Sequence, residues 1–123
     1  MVHAKRILII EDDPDVREAL VAAMRGAGLS ADAAVDGVDG LERLRVEPVP
    51  ALILLDLRLP RLGGDGFLRA MRDDEAFAHV PVITMTAGCG PTDGAEVVAH
   101  LHKPFDLDDL LAIVLSVVGA DAA

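Results

Sequence analysis

Apolar and polar positions alternate in blocks along the 123 residues. RILII (6–10) is apolar after its first residue and suits a strand buried on both faces. Pro14 then opens a helical stretch, with Val16, Leu20 and Met24 at helical spacing and Gly28 as its stop. SADAAV (30–35) reads as a short second strand. DGVDGLERLRVE (36–47) reads as a second helix, with Val38, Leu41 and Leu44 on one face. ALILLDL (51–57) is a third strand, GFLRAMRD (66–73) a third helix and VPVITMT (80–86) a fourth strand. PTDGAEVVA (91–99) has room for only a short fourth helix before a fifth strand at HLHK (100–103). DLDDLLAIVLSVVG (106–119) is the last helix, with Leu107, Leu110, Leu111, Val114 and Val118 forming its core face. Repeated strand–helix alternation predicts a single α/β domain over 1–123, a doubly wound parallel sheet.

Ligands of such sheets bind beyond the carboxyl ends of the strands, where strand order reverses. The polar residues cluster at those ends. Glu11 and Asp12 follow the first strand, Asp56 ends the third, Thr86 the fourth and Lys103 the fifth. Grouped carboxylates repel one another unless a positive charge joins them. Carboxylates with open positions suit a hard cation such as Mg²⁺, or Mn²⁺, which retains waters and takes phosphate oxygens. A carboxylate beside such a metal can itself be the nucleophile and form an aspartyl phosphate, with a lysine and a hydroxyl neutralising the phosphoryl oxygens.

Composition narrows the alternatives. EDDPD after the first strand replaces the Gly-rich turn of a dinucleotide fold, and no P-loop is present. A formal charge of −10 and only three aromatics, Phe67, Phe77 and Phe105, argue against direct nucleic-acid binding. One cysteine, Cys89, permits no internal disulfide, and a cytoplasmic location is the default expectation. No apolar run has bilayer-spanning length, and the N-terminus is too short and too acid-terminated for a signal peptide.

ILIIEDDP (7–14), LILLDLRLPRLGGDG (52–66), VPVITMTA (80–87) and HLHKPF (100–105) occur in this order across essentially the whole chain. Together they resemble the receiver domain of bacterial two-component response regulators. The resemblance implies a five-stranded sheet of flavodoxin-like order 2-1-3-4-5. By position, Asp56 is then the phosphoacceptor, Asp12 the main metal ligand with Glu11 in support, and the Arg58 backbone carbonyl a further ligand. Thr86 and Lys103 meet the phosphoryl group, Thr86 and His100 take part in switching, and the Lys103–Pro104 peptide is cis. Arg58 and Gly88 fall at positions that tune phosphoryl lifetime. The implied partners are a sensor histidine kinase or phosphotransfer protein and a downstream protein.

The chain departs from the family between Thr86 and Lys103. That segment is short and holds Gly88, Gly90, Pro91 and Gly94, so the fourth helix is expected to be shortened or absent. Ile113, Leu115 and Val117 are apolar outside the last helix's core face. They suggest a homodimer or partner surface on the fifth strand and last helix, or packing under the short 87–99 segment. His100 and His102 share a strand face, too few ligands for a metal site by themselves. Two other functions compete with a phosphorylated switch. One is an aspartyl phosphohydrolase of the haloacid dehalogenase type, whose second acid would stand where Arg58 is. The other is a receiver-like interaction module that works without phosphorylation.

Overall fold

A computed structural model describes residues 5–46, 48–88 and 96–119. The elements are β1 (Arg6–Ile10), α1 (Pro14–Gly26), β2 (Ser30–Ala34), α2 (Gly37–Leu44), β3 (Leu52–Asp56), α3 (Gly64–Arg72), β4 (Val82–Thr86), β5 (Val97–His102) and α4 (Leu107–Val118). The five strands are parallel, in the order β2-β1-β3-β4-β5. β1, β3 and β4 are buried along their whole length, as their unbroken apolar runs require of strands covered on both faces.

Side chains alternate between two cores. Ile7, Ile9, Leu52, Leu54, Ile83 and Met85 meet Leu20 and Met24 of α1 and Leu110, Val114 and Val118 of α4. Leu8, Ile10, Ile53, Leu55 and Val82 meet Leu44 of α2 and Phe67, Leu68 and Met71 of α3. Period-2 strands thus feed one face, and period-3.6 helices close over it.

Several boundaries differ from those read in the sequence. α2 stops at Leu44 and α3 begins at Gly64, ahead of residue 66. β5 begins at Val97, so residues 97–99 are strand and not the end of a helix. Val97 pairs with Val82 and Ala99 with Ile83, across a bulge that turns Val98 outward. Sheet pairing of β-branched residues wins there over the helical propensity of Ala and Glu. Residues 89–95, including Cys89, Gly90, Pro91 and Gly94, lie outside the described residues, and no helix lies between β4 and β5 among those described. On α4, Leu107 is exposed, off the core stripe expected for it. Ile113, Leu115 and Val117 are half-buried and pack against the α1–α4 core. No helix among the described residues is long and apolar enough to cross a membrane.

Candidate functional site

The strand order brings the expected residues together. β3 lies between β1 and β4, so the carboxyl ends of β1, β3 and β4 adjoin. Glu11, Asp12 and Asp56 each offer a carboxylate oxygen, all within 4.8 Å of one another. Glu11 and Asp56 are buried and Asp12 is exposed, so the cluster opens to solvent on one side.

Local structure holds each acid. Apolar β1 carries Glu11 inward, where its Oε2 accepts from the Asp13 N–H at 3.1 Å. Asp13 caps α1 instead of joining the cluster; its Oδ1 accepts from the N–H of Asp15 at 2.9 Å and of Val16 at 3.4 Å. Arg17, one turn into α1, donates to the carbonyls of Glu11 and Asp12 at 3.0 and 3.3 Å and fixes this turn from the helix side. Asp56 ends β3, and its Oδ1 accepts from the Arg58 N–H at 2.9 Å.

Lys103 bridges the two buried acids. Its Nζ donates to Glu11 Oε1 at 2.5 Å and to Asp56 Oδ2 at 2.9 Å. Burial pushes the Glu11 carboxyl up to about 7, despite the opposing hydrogen bond from Lys103; hydrogen bonding and charge from Asp56 add to the rise. Burial alone would lower Lys103, but the hydrogen bonds to Glu11 and Asp56 outweigh it and hold the amine above its ordinary value. The Lys103–Pro104 peptide is cis, as expected.

Thr86 is buried at the end of β4, where its hydroxyl accepts from the Gly88 N–H at 3.1 Å. Its carbonyl accepts from the Lys103 N–H at 3.0 Å, tying the ends of β4 and β5 together. Arg58 is exposed and its guanidinium reaches Gly88, where an added Cβ would stand 3.4 Å from it. His100 stands apart from the acids. Its Nδ1 pairs with Thr84 Oγ1 at 2.7 Å, its ring meets His102 edge-on at 5.0 Å, and its Nε2 is buried without a partner. Burial, then the neighbouring His102, lowers its affinity for a proton. The two histidines join no three-ligand cluster among the described residues.

An ion pair that sequence reading missed lies beside the site. Arg61, in the loop after β3, donates to both carboxylate oxygens of Asp36, from Nε at 2.7 Å and from a terminal nitrogen at 3.1 Å. In the sequence Asp36 is only the first residue of the expected second helix, and nothing in the spacing ties it to Arg61.

The donor set fits a hard divalent cation. It consists of carboxylate oxygens, one of them solvent-facing, with a buried acid whose charge is uncomfortable without a cation.

Residues 7–115 match the response regulator receiver domain family. The DNA-binding dual master transcriptional regulator RpaA of Synechocystis sp. is 39% identical over 116 residues, covering 89% of this chain and 47% of that protein. Protein Rrf1 of Nitratidesulfovibrio vulgaris is 37% identical over 110 residues, covering 89% of this chain and 79% of its own. The chain thus spans about half the length of RpaA. Among solved structures, the receiver domain of sensor histidine kinase PA1611 from Pseudomonas aeruginosa is 27% identical with a TM-score of 0.83, over 95% of this chain and 99% of that one; it has a magnesium ion coordinated in its active site cleft. Chemotaxis protein CheY4 of Vibrio cholerae, at 22% identity and TM-score 0.83 over 94% and 99%, shares the fold. With the order β2-β1-β3-β4-β5 and the acids at its switch point, the chain belongs to the response regulator receiver domains, the modules of two-component phosphorelay signalling.

Proposed function

We propose that this domain accepts a phosphoryl group on Asp56 from a sensor histidine kinase or phosphotransfer protein and switches partner binding in response. The observation that carries the reading is the convergence of Glu11, Asp12 and Asp56 beneath a lysine that reaches two of them. When bound by Glu11, Asp12, Asp56 and the Arg58 carbonyl, Mg²⁺ (or Mn²⁺) supplies positive charge that offsets the crowded carboxylates and the phosphoryl oxygens.

The chain's own groups do the rest. The Arg58 N–H orients the Asp56 carboxylate from its Oδ1 side. An Asp56 oxygen forms the new bond to phosphorus as the donor's bond to phosphorus breaks, and the leaving group departs with that electron pair. Lys103 shifts its ammonium from the carboxylates to a phosphoryl oxygen, and the Thr86 hydroxyl donates to another. The domain thereby promotes its own phosphorylation and, with water as acceptor, its dephosphorylation. Arg58 and Gly88, neighbours such that a Cβ on Gly88 would meet the Arg58 guanidinium, bear on how long the phosphoryl group lasts.

An apolar groove of about 480 Å³ beside Lys103, lined in part by Val16, Leu20, Pro104 and Phe105, offers the phosphoryl donor a surface next to Asp56. Output passes through Thr86, His100 and the β5–α4 side, where Val98 and Leu107 are exposed to a protein partner or a second copy. On this reading the domain works in the cytoplasm and itself contacts no nucleic acid.

The test is intact mass after incubation with Mg²⁺ and acetyl phosphate, wild type against Asp56→Asn. A metal-dependent phosphoryl adduct, absent from the variant, is the expected result. No adduct in either protein, with Mg²⁺ binding undetectable, overturns it in favour of a phosphorylation-independent module.

A further inference from the structure

We propose that Arg61 and Asp36 form a latch that holds the loop 57–63 against α2, making Arg61 a positioning residue for the cation and phosphoacceptor site at Asp56 and Arg58. The inference rests on the phosphoacceptor reading above and adds Arg61 and Asp36, which among the described residues form no hydrogen bond with Asp56, Arg58 or Lys103.

The first observation is conformational. Among the described residues Arg61 is the only non-glycine with positive φ, at 63°. Side chains with a Cβ avoid that region, so surrounding contacts must hold it there. The contact is the two-pronged pair with Asp36, the arrangement in which a guanidinium's fork fixes direction as well as distance.

The second observation is that the anchor is rigid. Asp36 is buried, and its Oδ1 also accepts from the Asp39 N–H at 2.8 Å as the N-cap of α2. Arg61 thus grips a carboxylate that the helix already holds, and the guanidinium keeps that carboxyl below its usual range.

The third observation is a close approach beside the pair. A Cβ on Gly37 would stand 2.2 Å from the Leu62 carbonyl oxygen, so the loop backbone lies directly on the first residue of α2. The loop is therefore pinned at 61 and 62. At its other end the Leu57 N–H donates to the Met85 carbonyl at 2.9 Å, the Leu57 carbonyl accepts from the Gly64 N–H at 3.2 Å, and the Arg58 N–H holds Asp56. Only Leu59 and Pro60 separate Arg58 from Arg61. A loop this short transmits the constraint at 61 to the peptide groups of Arg58, one of which orients the phosphoacceptor while the other is the expected cation ligand.

The Arg61 side chain is 60% exposed, so its pair adds little to global stability. Its effect falls on loop order, and outer residues that orient ligands typically change metal affinity by about tenfold or more. The test uses Arg61→Gly, which tolerates positive φ, and Asp36→Asn, which keeps an N-cap, singly and together, with Arg61→Lys as the conservative variant. Two readouts are taken. One is amide hydrogen exchange at Arg58 and Gly64 in the metal-free protein; the other is Mg²⁺ affinity by titration calorimetry.

Each single variant should exchange faster at both amides and bind Mg²⁺ about tenfold more weakly. The double variant should lose no more than either single, because both remove one interaction. Arg61→Lys should recover part of the loss in both readouts. Wild-type exchange and affinity in the single variants, or additive losses in the double, would overturn the latch. A wild type that forms no adduct overturns the phosphoacceptor reading instead, since the exchange measurement reads the latch without metal or phosphoryl donor.

Discussion

Glu11 is the residue on which the site's electrostatics turn. It is buried, and burial pushes its carboxyl up to about 7 from an ordinary 4.5. Between those values the folded chain binds a proton that the unfolded chain has lost. Stability from this group is therefore fully present below about 4.5 and is lost as pH rises toward 7. The change is on the order of 3 kcal/mol. Lys103 has the opposite chemistry: a folded value raised above 10.5 lends stability that persists through this window and is lost only in strong alkali. The metal-free chain should therefore show a urea midpoint that falls between pH 4.5 and 7, a slope missing from Glu11→Gln. Saturating Mg²⁺ should flatten the slope in the wild type, because a cation favours the ionised carboxylate. An equal slope in both proteins would assign the pH dependence to other groups.

The residues of this cluster were legible because each stands at the abrupt end of an apolar run. Asp56 follows LILL without a turn residue, and Glu11 follows ILII. The Arg61–Asp36 pair was not legible. It depends on a left-handed backbone at residue 61 and on a loop laid across a helix end 25 residues earlier, and neither has a local signature.

At the scale of elements, α3 begins at Gly64, two residues ahead of the start expected from GFLRAMRD (66–73), and the packing of that glycine explains why. A Cβ there would stand 2.7 Å from Leu57 Cα and 3.1 Å from the Asp56 carbonyl oxygen, so the helix start is pressed against the backbone that carries Asp56. Gly64→Ala gains helix propensity worth about 1 kcal/mol and meets backbone that cannot yield cheaply. The clash should win, with a net loss of about 1–2 kcal/mol in urea denaturation and slower formation of the acetyl phosphate adduct. Gly63→Ala is the control, since nothing stands within 4 Å of its added Cβ; it should form adduct at the wild-type rate. Elements with strong periodicity, such as α1 and the three inner strands, were legible throughout. For β5 the strand at HLHK was legible but its start was not, because the register of Val97 against Val82 is a tertiary choice.

For the whole molecule, the strand order is what turns scattered acids into one site. Glu11 and Asp56 are 45 residues apart in sequence and adjacent because β1 pairs with β3. A cation held by these carboxylates would make its binding a folding term. An ion held by the folded chain and not by the unfolded one stabilises it by RT ln(1 + [L]/Kd), about 1.4 kcal/mol at ten times Kd. General screening competes as an explanation, since a chain of net charge −10 repels itself and any salt relieves that repulsion. The two effects part on Asp12, the cluster's exposed acid. Asp12→Asn changes the net charge by only one in ten but removes one carboxylate from the three-carboxylate set. Mg²⁺ should raise the wild-type denaturation midpoint well beyond what NaCl of equal ionic strength achieves. In Asp12→Asn the two salts should give nearly the same rise. A Mg²⁺-specific rise of full size in the variant would place the cation elsewhere on the acidic surface and remove Asp12 from the site.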